Sequence, residues 1–371
     1  MKKLSQLIVL SSFSSALFAA ELDSKVDIQS GYNNNPYRFN DQFTIEGAGF
    51  MRVKAQTELK VLKPWSISAA LKHHGYEDTA TAANKTEWQL ASELRFGKAS
   101  DHWGASMSFN HLDKTYISRL NGGPSTYQGQ SLDDRYDYYQ SSLELFSKDK
   151  INKSLSNKIS LSYDLKDYQD FDNISISDLD YQAITVDERF DIITNKHHRN
   201  RFSLAFTLRD YLNREQKDAN GNSINGSQLQ YHYTFAGYEY RYKANKRFKT
   251  QLAFDWENRI DNGSGYYDSN AVTANLALDF SWNKHHNSKM SLKWRDFAYQ
   301  RDIELTSAGD EEEFNSETRL QMRLSHNIAW PALLGPQGEV QLGYQFKSAD
   351  ANRSAYQYQQ QIIHGGIKLN F

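Results

Sequence analysis

The sequence contains no cysteine and only five prolines in 371 residues. Without cysteine the chain has no disulfide, no thiolate ligand for zinc and no thiol nucleophile. After the first twenty residues, no segment approaches the ~20 consecutive apolar residues that a membrane-spanning helix requires, and the mean hydropathy is -0.75. These absences exclude a disulfide-stabilised domain, a cysteine-ligated metal site and a helical membrane protein.

The sequence also lacks a large excess of positive or negative charge, since it contains 43 Lys and Arg and 45 Asp and Glu. Nothing in this balance indicates a nucleic-acid partner or a polybasic membrane anchor. The motifs HExxH, GxSxG and GxxxxGK[ST] do not occur, so the common zinc-protease, serine-hydrolase and phosphate-loop signatures are absent. We therefore predict that the protein is not an enzyme and that it needs no cofactor or metal.

The N-terminus differs in kind from the rest of the chain. Lys2 and Lys3 precede the apolar, serine-rich run LIVLSSFSSALF, which ends at the small residues Ala19 and Ala20. A basic start, an apolar middle and a small-residue exit are typical of a secretory signal peptide. We divide the chain into a signal peptide at 1–20 and one mature domain at 21–371, which is exported to the periplasm or beyond.

Apolar and polar residues alternate with period two along the mature chain. In 247–259 the odd positions are mainly charged or polar and the even positions mainly apolar, which predicts a strand with one apolar face. Many such segments are longer than the five or six residues of an average strand and suit a tilted strand that crosses a bilayer. The predicted strands are 24–33, 48–62, 65–77, 86–97, 103–112, 136–147, 155–166, 181–194, 200–212, 228–243, 247–258, 270–283, 288–300, 316–330, 338–348 and 357–371.

Short and long connections alternate between these strands. The pattern predicts an all-β transmembrane antiparallel barrel of about sixteen strands (fourteen to eighteen), with short periplasmic turns and long extracellular loops. An even strand number places both termini in the periplasm of a Gram-negative cell. The predicted surroundings are outer-membrane lipid and lipopolysaccharide.

If the apolar faces meet lipid, the opposite faces line the lumen. By this parity fifteen basic and nine acidic residues point inward, which favours anionic solutes in a water-filled pore. The alternative is that these charges pair across strands and only stiffen the wall. The residues that we predict to line the substrate path are Arg295, Arg319, Arg323, Lys293, Arg52, Lys54, Asp255 and Glu257.

The longest connection, 113–135, lies between the fifth and sixth predicted strands and contains Gly122, Gly123 and Pro124. In sixteen-stranded general-diffusion porins the loop at this position folds into the pore and narrows it. A surface loop is the alternative.

The last eight residues, HGGIKLNF, again alternate and are predicted to form the final strand, paired with the first. They resemble the C-terminal signal that the bacterial barrel-assembly machinery recognises. The matching positions are His364, Gly366, Leu369 and Phe371.

The segment GYNNNPYRF, 31–39, is followed by a long alternating stretch and the turn KPW. It resembles the opening of outer-membrane barrels encoded with exopolysaccharide or biofilm-matrix export systems, and the likeness covers about forty residues. The resemblance implies a conduit that exports a polysaccharide, with a saccharide substrate and a periplasmic export partner. The alternatives are a general or oligosaccharide-uptake porin and a structural or adhesive barrel without transport.

Overall fold

Period-two alternation in the sequence becomes sixteen long strands in the computed structural model. It describes residues 21–371 apart from 41, 44–45, 63, 119–122, 125, 128–129, 170–178, 301–315 and 336, so the predicted signal peptide lies outside the described residues. The strands are β1 Glu21–Asn33, β2 Ala48–Leu62, β3 Trp65–Tyr76, β4 Lys85–Gly97, β5 His102–Lys114, β6 Tyr138–Lys150, β7 Leu155–Tyr168, β8 Tyr181–Ile193, β9 His198–Tyr211, β10 Gln230–Lys243, β11 Phe248–Asp261, β12 Ser269–Ser281, β13 His286–Tyr299, β14 Glu317–Ala329, β15 Glu339–Ala351 and β16 Tyr358–Asn370.

Each strand pairs antiparallel with its neighbours in the chain, and β16 pairs with β1 to close a barrel. Closure satisfies the backbone groups of every strand and leaves no free edge, which a bilayer requires of a sheet. The prediction of a closed antiparallel barrel with about sixteen strands is therefore confirmed.

The two ends of the barrel differ. At one end, here the short-turn end, six of the seven connections have two to four residues, and the last, between β14 and β15, has nine. At the other, the long-loop end, connections have six to twenty-three residues. β1 begins and β16 ends at the short-turn end.

The described residues contain few other elements. A 3₁₀ helix at Asp78–Ala83 and another at Ser354–Tyr356 lie at the long-loop end, and a single helical turn, Pro331–Leu334, lies at the short-turn end. Two short ladders stand between β5 and β6, pairing Ile117–Ser118 with Gly123–Pro124 and Thr126–Tyr127 with Gln130–Ser131. No helix in the described part of the chain is long and apolar enough to cross a membrane.

The outer face of the barrel is apolar. Leu143, Leu145, Leu204 and Phe206 belong to this face and are each between 42% and 53% exposed. A continuous apolar outer surface is the surface that a bilayer covers in transmembrane barrels. At its short-turn rim stand exposed tryptophans, namely Trp65, Trp103, Trp282 and Trp330, which suits the level of the membrane interface.

Glycines let the closing strands approach each other. A Cβ on Gly31 would collide with the carbonyl oxygen of Ile363, and one on Gly366 with that of Ile28. The pairing extends one residue beyond β16, because Phe371 N donates to Ser24 O at 2.8 Å and accepts through its own carbonyl from Ser24 N at 3.2 Å. The last strand is thus joined to the first, as predicted.

Candidate functional site

A cavity of about 1150 Å³ occupies the long-loop half of the lumen. Charged side chains in its lining are almost all basic: twelve Lys and Arg and a single acidic residue, Glu317. The basic residues are Arg38, Arg52, Lys54, Lys85, Lys114, Lys166, Arg209, Arg259, Arg295, Arg319, Arg323 and Lys347. The cavity therefore concentrates positive charge in a protein whose net charge is only -2.

All eight residues of the predicted path belong to the inward-facing register of their strands. Five of them line the cavity: Arg52, Lys54, Arg295, Arg319 and Arg323. The other three, Lys293, Asp255 and Glu257, share the inward parity but lie outside the cavity lining.

Ion pairing divides the basic residues of the cavity into two groups. Arg319 contacts the carboxylate of Glu317, its neighbour on β14. By contrast, no carboxylate of the described residues lies within 4.0 Å of the cationic groups of Arg52, Lys54, Arg323 or Lys347. Their charge is left to act on the contents of the cavity.

One wall of the cavity alternates cations with tyrosine rings. Arg209 Cζ lies 4.3 Å from the ring centre of Tyr181 and 4.8 Å from that of Tyr233. Arg259 Cζ lies 4.7 Å from the ring of Tyr231 and 5.1 Å from that of Tyr299. These distances are those of cation–π contacts.

The same arrangement continues on β6 and β7, where Lys166 Nζ lies 3.6 Å from the ring of Tyr138 and 4.8 Å from that of Tyr168. We call this surface the tyrosine–cation wall. Its members are Tyr138, Lys166, Tyr168, Tyr181, Arg209, Tyr231, Tyr233, Arg259 and Tyr299. All of them except Tyr138 and Tyr233 line the cavity.

Two donors in this wall are unpaired. Arg209 Nε and Arg259 Nη2 are buried and have no hydrogen-bond partner among the described residues. A buried cationic N–H without an acceptor costs free energy unless a ligand or water supplies one. The wall thus places guanidinium groups beside flat aromatic faces.

The short-turn half of the lumen contains several ion pairs. Arg201 donates to Asp191 at 2.7 Å and lies 3.6 Å from Glu239, which also contacts Arg241 at 2.5 Å. Lys158 and Glu144 pair at 2.9 Å across β6 and β7. Ion pairs also occur near the long loops, where Glu87 contacts Lys72 at 2.7 Å and Lys85 at 3.6 Å. Pairing across strands is thus part of the lumen wall, and the action of the remaining cations on a solute stays a prediction.

The connection between β5 and β6 contributes to the cavity through its described ends. Thr115, Tyr116 and Ile117 line the cavity on one side, and Tyr136 lines it on the other. Tyr116 is only 3% exposed. These described ends therefore border the lumen, whereas residues 119–122, 125 and 128–129 lie outside the described part. A loop folded into the pore and a surface loop both stay open as predictions.

The strand pattern of the sequence did not predict all of the residues that line the cavity. Lys166 and Arg259 are absent from the fifteen predicted inward cations, although both continue the inward parity of their strands. Arg259 was missed because the eleventh strand was predicted to end at 258, whereas β11 reaches Asp261. Tyr37 and Arg38, which come from a loop, carry no period-two signal. In the described residues, no group of three or more His, Asp or Glu is placed to hold a metal ion.

No family model matches the chain, and no curated protein matches it in sequence. Solved structures do match its fold. OprB of Pseudomonas putida superposes with a TM-score of 0.52 at 9% identity, over 95% of this chain and 94% of that one. CdiB of Acinetobacter baumannii gives 0.51 at 9% identity, over 94% of this chain and 60% of that one.

A structure described as a bacterial polysaccharide outer membrane secretin covers 94% of this chain and 97% of its own length, with a TM-score of 0.47 and 8% identity. At such identities the likeness concerns the fold alone. The chain is a closed sixteen-stranded antiparallel barrel that resembles outer-membrane porins.

Proposed function

We propose that the protein is an outer-membrane conduit for an anionic saccharide, and that its task is export of an acidic exopolysaccharide. The observation that carries the proposal is the cavity lining, with twelve basic residues against one acidic residue. Low-dielectric walls focus the field of such a cluster along a pore and raise the local concentration of anions.

The tyrosine–cation wall supports a saccharide rather than a small inorganic anion. A sugar ring presents a flat C–H face that packs on an aromatic ring, and a carboxylate accepts two parallel hydrogen bonds from a guanidinium. Tyr231 and Tyr299 flank Arg259 in this arrangement. The direction of transport rests on the resemblance of GYNNNPYRF, 31–39, to the opening of export barrels.

The membrane arrangement is part of the proposal. The apolar outer face is covered by outer-membrane lipid and lipopolysaccharide, the short-turn end faces the periplasm, and both termini lie there after removal of residues 1–20. The barrel-assembly machinery recognises His364, Gly366, Leu369 and Phe371. A periplasmic export partner delivers the polymer, and the barrel itself performs no enzymatic reaction.

Deletion of the gene in its own host tests export directly. We expect loss of surface acidic polysaccharide, measured as uronic acid in washed extracellular material, and restoration by the wild-type gene. A deletion strain with normal surface polysaccharide overturns export. If that strain instead loses uptake of an anionic oligosaccharide from the medium, the conduit is an uptake porin.

A further inference from the structure

The loop between β1 and β2 forms a tight ring around the side chain of Asn35. Asn35 Oδ1 accepts a hydrogen bond from Phe39 N at 2.9 Å, and Asn35 Nδ2 donates to Phe39 O at 2.8 Å. Asn35 is only 2% exposed. The side-chain amide of Asn35 thereby ties both backbone groups of Phe39 and holds residues 36–38 between them as a closed loop. We call residues 36–38 the tip.

The ring is fastened to the last strand. Asn34 N donates to Gln361 O at 3.1 Å, and Gln361 N donates to Asn34 Oδ1 at 2.6 Å. Asn35 Nδ2 also donates to Gln359 O at 2.9 Å, and Gln360 Nε2 donates to Asn35 O at 2.6 Å. These four hydrogen bonds fix the tip relative to β16 and hence to the barrel wall.

The tip reaches the cavity, because Pro36, Tyr37 and Arg38 all belong to its lining. Tyr37 is stacked on Phe39 with ring centres 5.2 Å apart, and Arg38 Cζ lies 5.9 Å from the ring centre of Tyr358 on β16. The loop thus adds one cation and one aromatic ring to the cavity from a part of the chain outside the sheet.

The backbone at Arg38 has φ of 59°, and in the described part of the chain no other residue except glycine has a positive φ. Arginine has no intrinsic preference for this left-handed region, where glycine, asparagine or aspartate is favoured. Strained residues persist where the surroundings over-determine them, and they concentrate at functional sites. The arginine at this position therefore points to a role for its side chain.

We propose that the tip is the selectivity element of the pore: Asn35 and β16 hold Arg38 in the path of the solute, where its guanidinium favours anions and its loop limits the width. The proposal rests on the proposed function, since it assigns a filter to that conduit. It places the constriction in the loop between β1 and β2, in addition to any narrowing by the loop between β5 and β6.

The absence of cysteine from the sequence permits a direct test. The variant Arg38→Cys carries a single thiol, which is modified in planar bilayers with a trimethylammonium or a sulfonate methanethiosulfonate reagent. We expect the cationic adduct to restore the anion-to-cation permeability ratio and the anionic adduct to lower it roughly twofold or more. Asn220→Cys, in an exposed loop outside the cavity lining, is the matched control and should respond to neither reagent.

A second variant tests the fastening. Asn35→Ala should raise single-channel conductance and weaken anion preference, because the ring opens while every cavity cation stays in the chain, whereas Asn220→Ala should behave as wild type. If Asn35→Ala does not fold, the thiol experiment decides alone. An anion-selective wild type whose Arg38→Cys form ignores both adducts overturns the tip as filter and leaves the conduit intact, whereas a wild type that carries no current or prefers cations overturns the proposed function.

Discussion

Arg259 contacts two tyrosine rings and donates from Nε to the carbonyl oxygen of Tyr267 at 3.0 Å. Within the described part of the chain its charge is offset by rings and a carbonyl rather than by a carboxylate. Each such ring contact contributes about 0.5–2 kcal/mol, the larger value when water is excluded. The balance between these contacts and the cost of removing a charge from water decides whether the residue stabilises the barrel.

We expect Arg259→Met to lower the free energy of unfolding by about 1–3 kcal/mol, since two ring contacts and a hydrogen bond are lost. The control is Arg241→Met, because the Arg241 side chain is 45% exposed and its partner Glu239 keeps Arg201. For Arg241→Met we expect the free energy of unfolding to change by about 0–1 kcal/mol. Urea unfolding of protein refolded in lipid vesicles measures both, and a more stable Arg259→Met would show that the cost of burying the charge exceeds the gain from the ring contacts.

Asp137, in the loop before β6, is a partly buried acidic residue whose ionisation affects the stability of the barrel. Burial raises the pKa of its carboxyl to about 6, with nearby Asp113 and Asp134 acting in the same direction, although the backbone N–H of Lys114 donates to it at 2.7 Å. Because the folded state holds the proton more tightly than the unfolded state, the ionised group disfavours folding. The stability of the barrel therefore falls as pH rises from about 4 to about 6 through this group,.

Asp137→Asn removes that dependence while keeping an acceptor for Lys114 N. We expect the variant to have a higher thermal midpoint than wild type at pH 7.5 and to lose this advantage at pH 4. The midpoint of the gel-mobility shift on heating, measured across pH, reports the effect. An identical pH profile in wild type and variant would contradict the raised pKa.

Among the elements, the seam between β1 and β16 depends on glycine at specific positions. Both Gly366 and Gly365 lie on β16, but only Gly366 faces the backbone of β1 at close range. A Cβ at Gly365 would have its nearest neighbour at 3.6 Å, an ordinary contact. Two adjacent glycines thus have opposite tolerance for a side chain.

In Gly366→Val the barrel should fail to close between β1 and β16. We expect little or none of this variant to fold into detergent micelles in the absence of assembly proteins. Gly365→Val should fold as wild type does. The folded fraction is read from the heat-dependent gel shift. Normal folding of Gly366→Val in micelles, combined with failure in cells, would indicate that Gly366 acts only as a recognition position for the assembly machinery.

Strand parity could be predicted from the sequence because period two is a local property of consecutive residues. The inward positions of Arg52, Lys54 and Arg323 follow from it directly. The position of Arg38 does not, since it depends on hydrogen bonds between Asn35 and residues 359–360, more than three hundred positions away in the chain. The ion pairs could not be predicted from the sequence either, because the Asp191–Arg201–Glu239 network depends on the register of three strands.

Over the whole molecule, the lumen is polarised along its axis. The long-loop half carries the basic cavity, whereas the short-turn half carries ion pairs such as Glu144 with Lys158. A nearly neutral chain thereby concentrates basic side chains at one end of its lumen, which predicts a preference for anions. Salt should weaken this preference, because screening shortens the range of the field to about 10 Å at 0.1 M and about 3 Å at 1 M.

The most direct test of an anion-attracting lumen is the reversal potential of the purified wild-type barrel in a planar bilayer under a gradient of potassium chloride. We expect chloride to permeate more readily than potassium, with a preference that shrinks as ionic strength rises. The double variant Arg52→Glu, Arg323→Glu should shift the reversal potential toward cation preference, because both cations lack a carboxylate partner among the described residues. A wild-type barrel that prefers potassium, or a double variant with an unchanged reversal potential, would contradict the account.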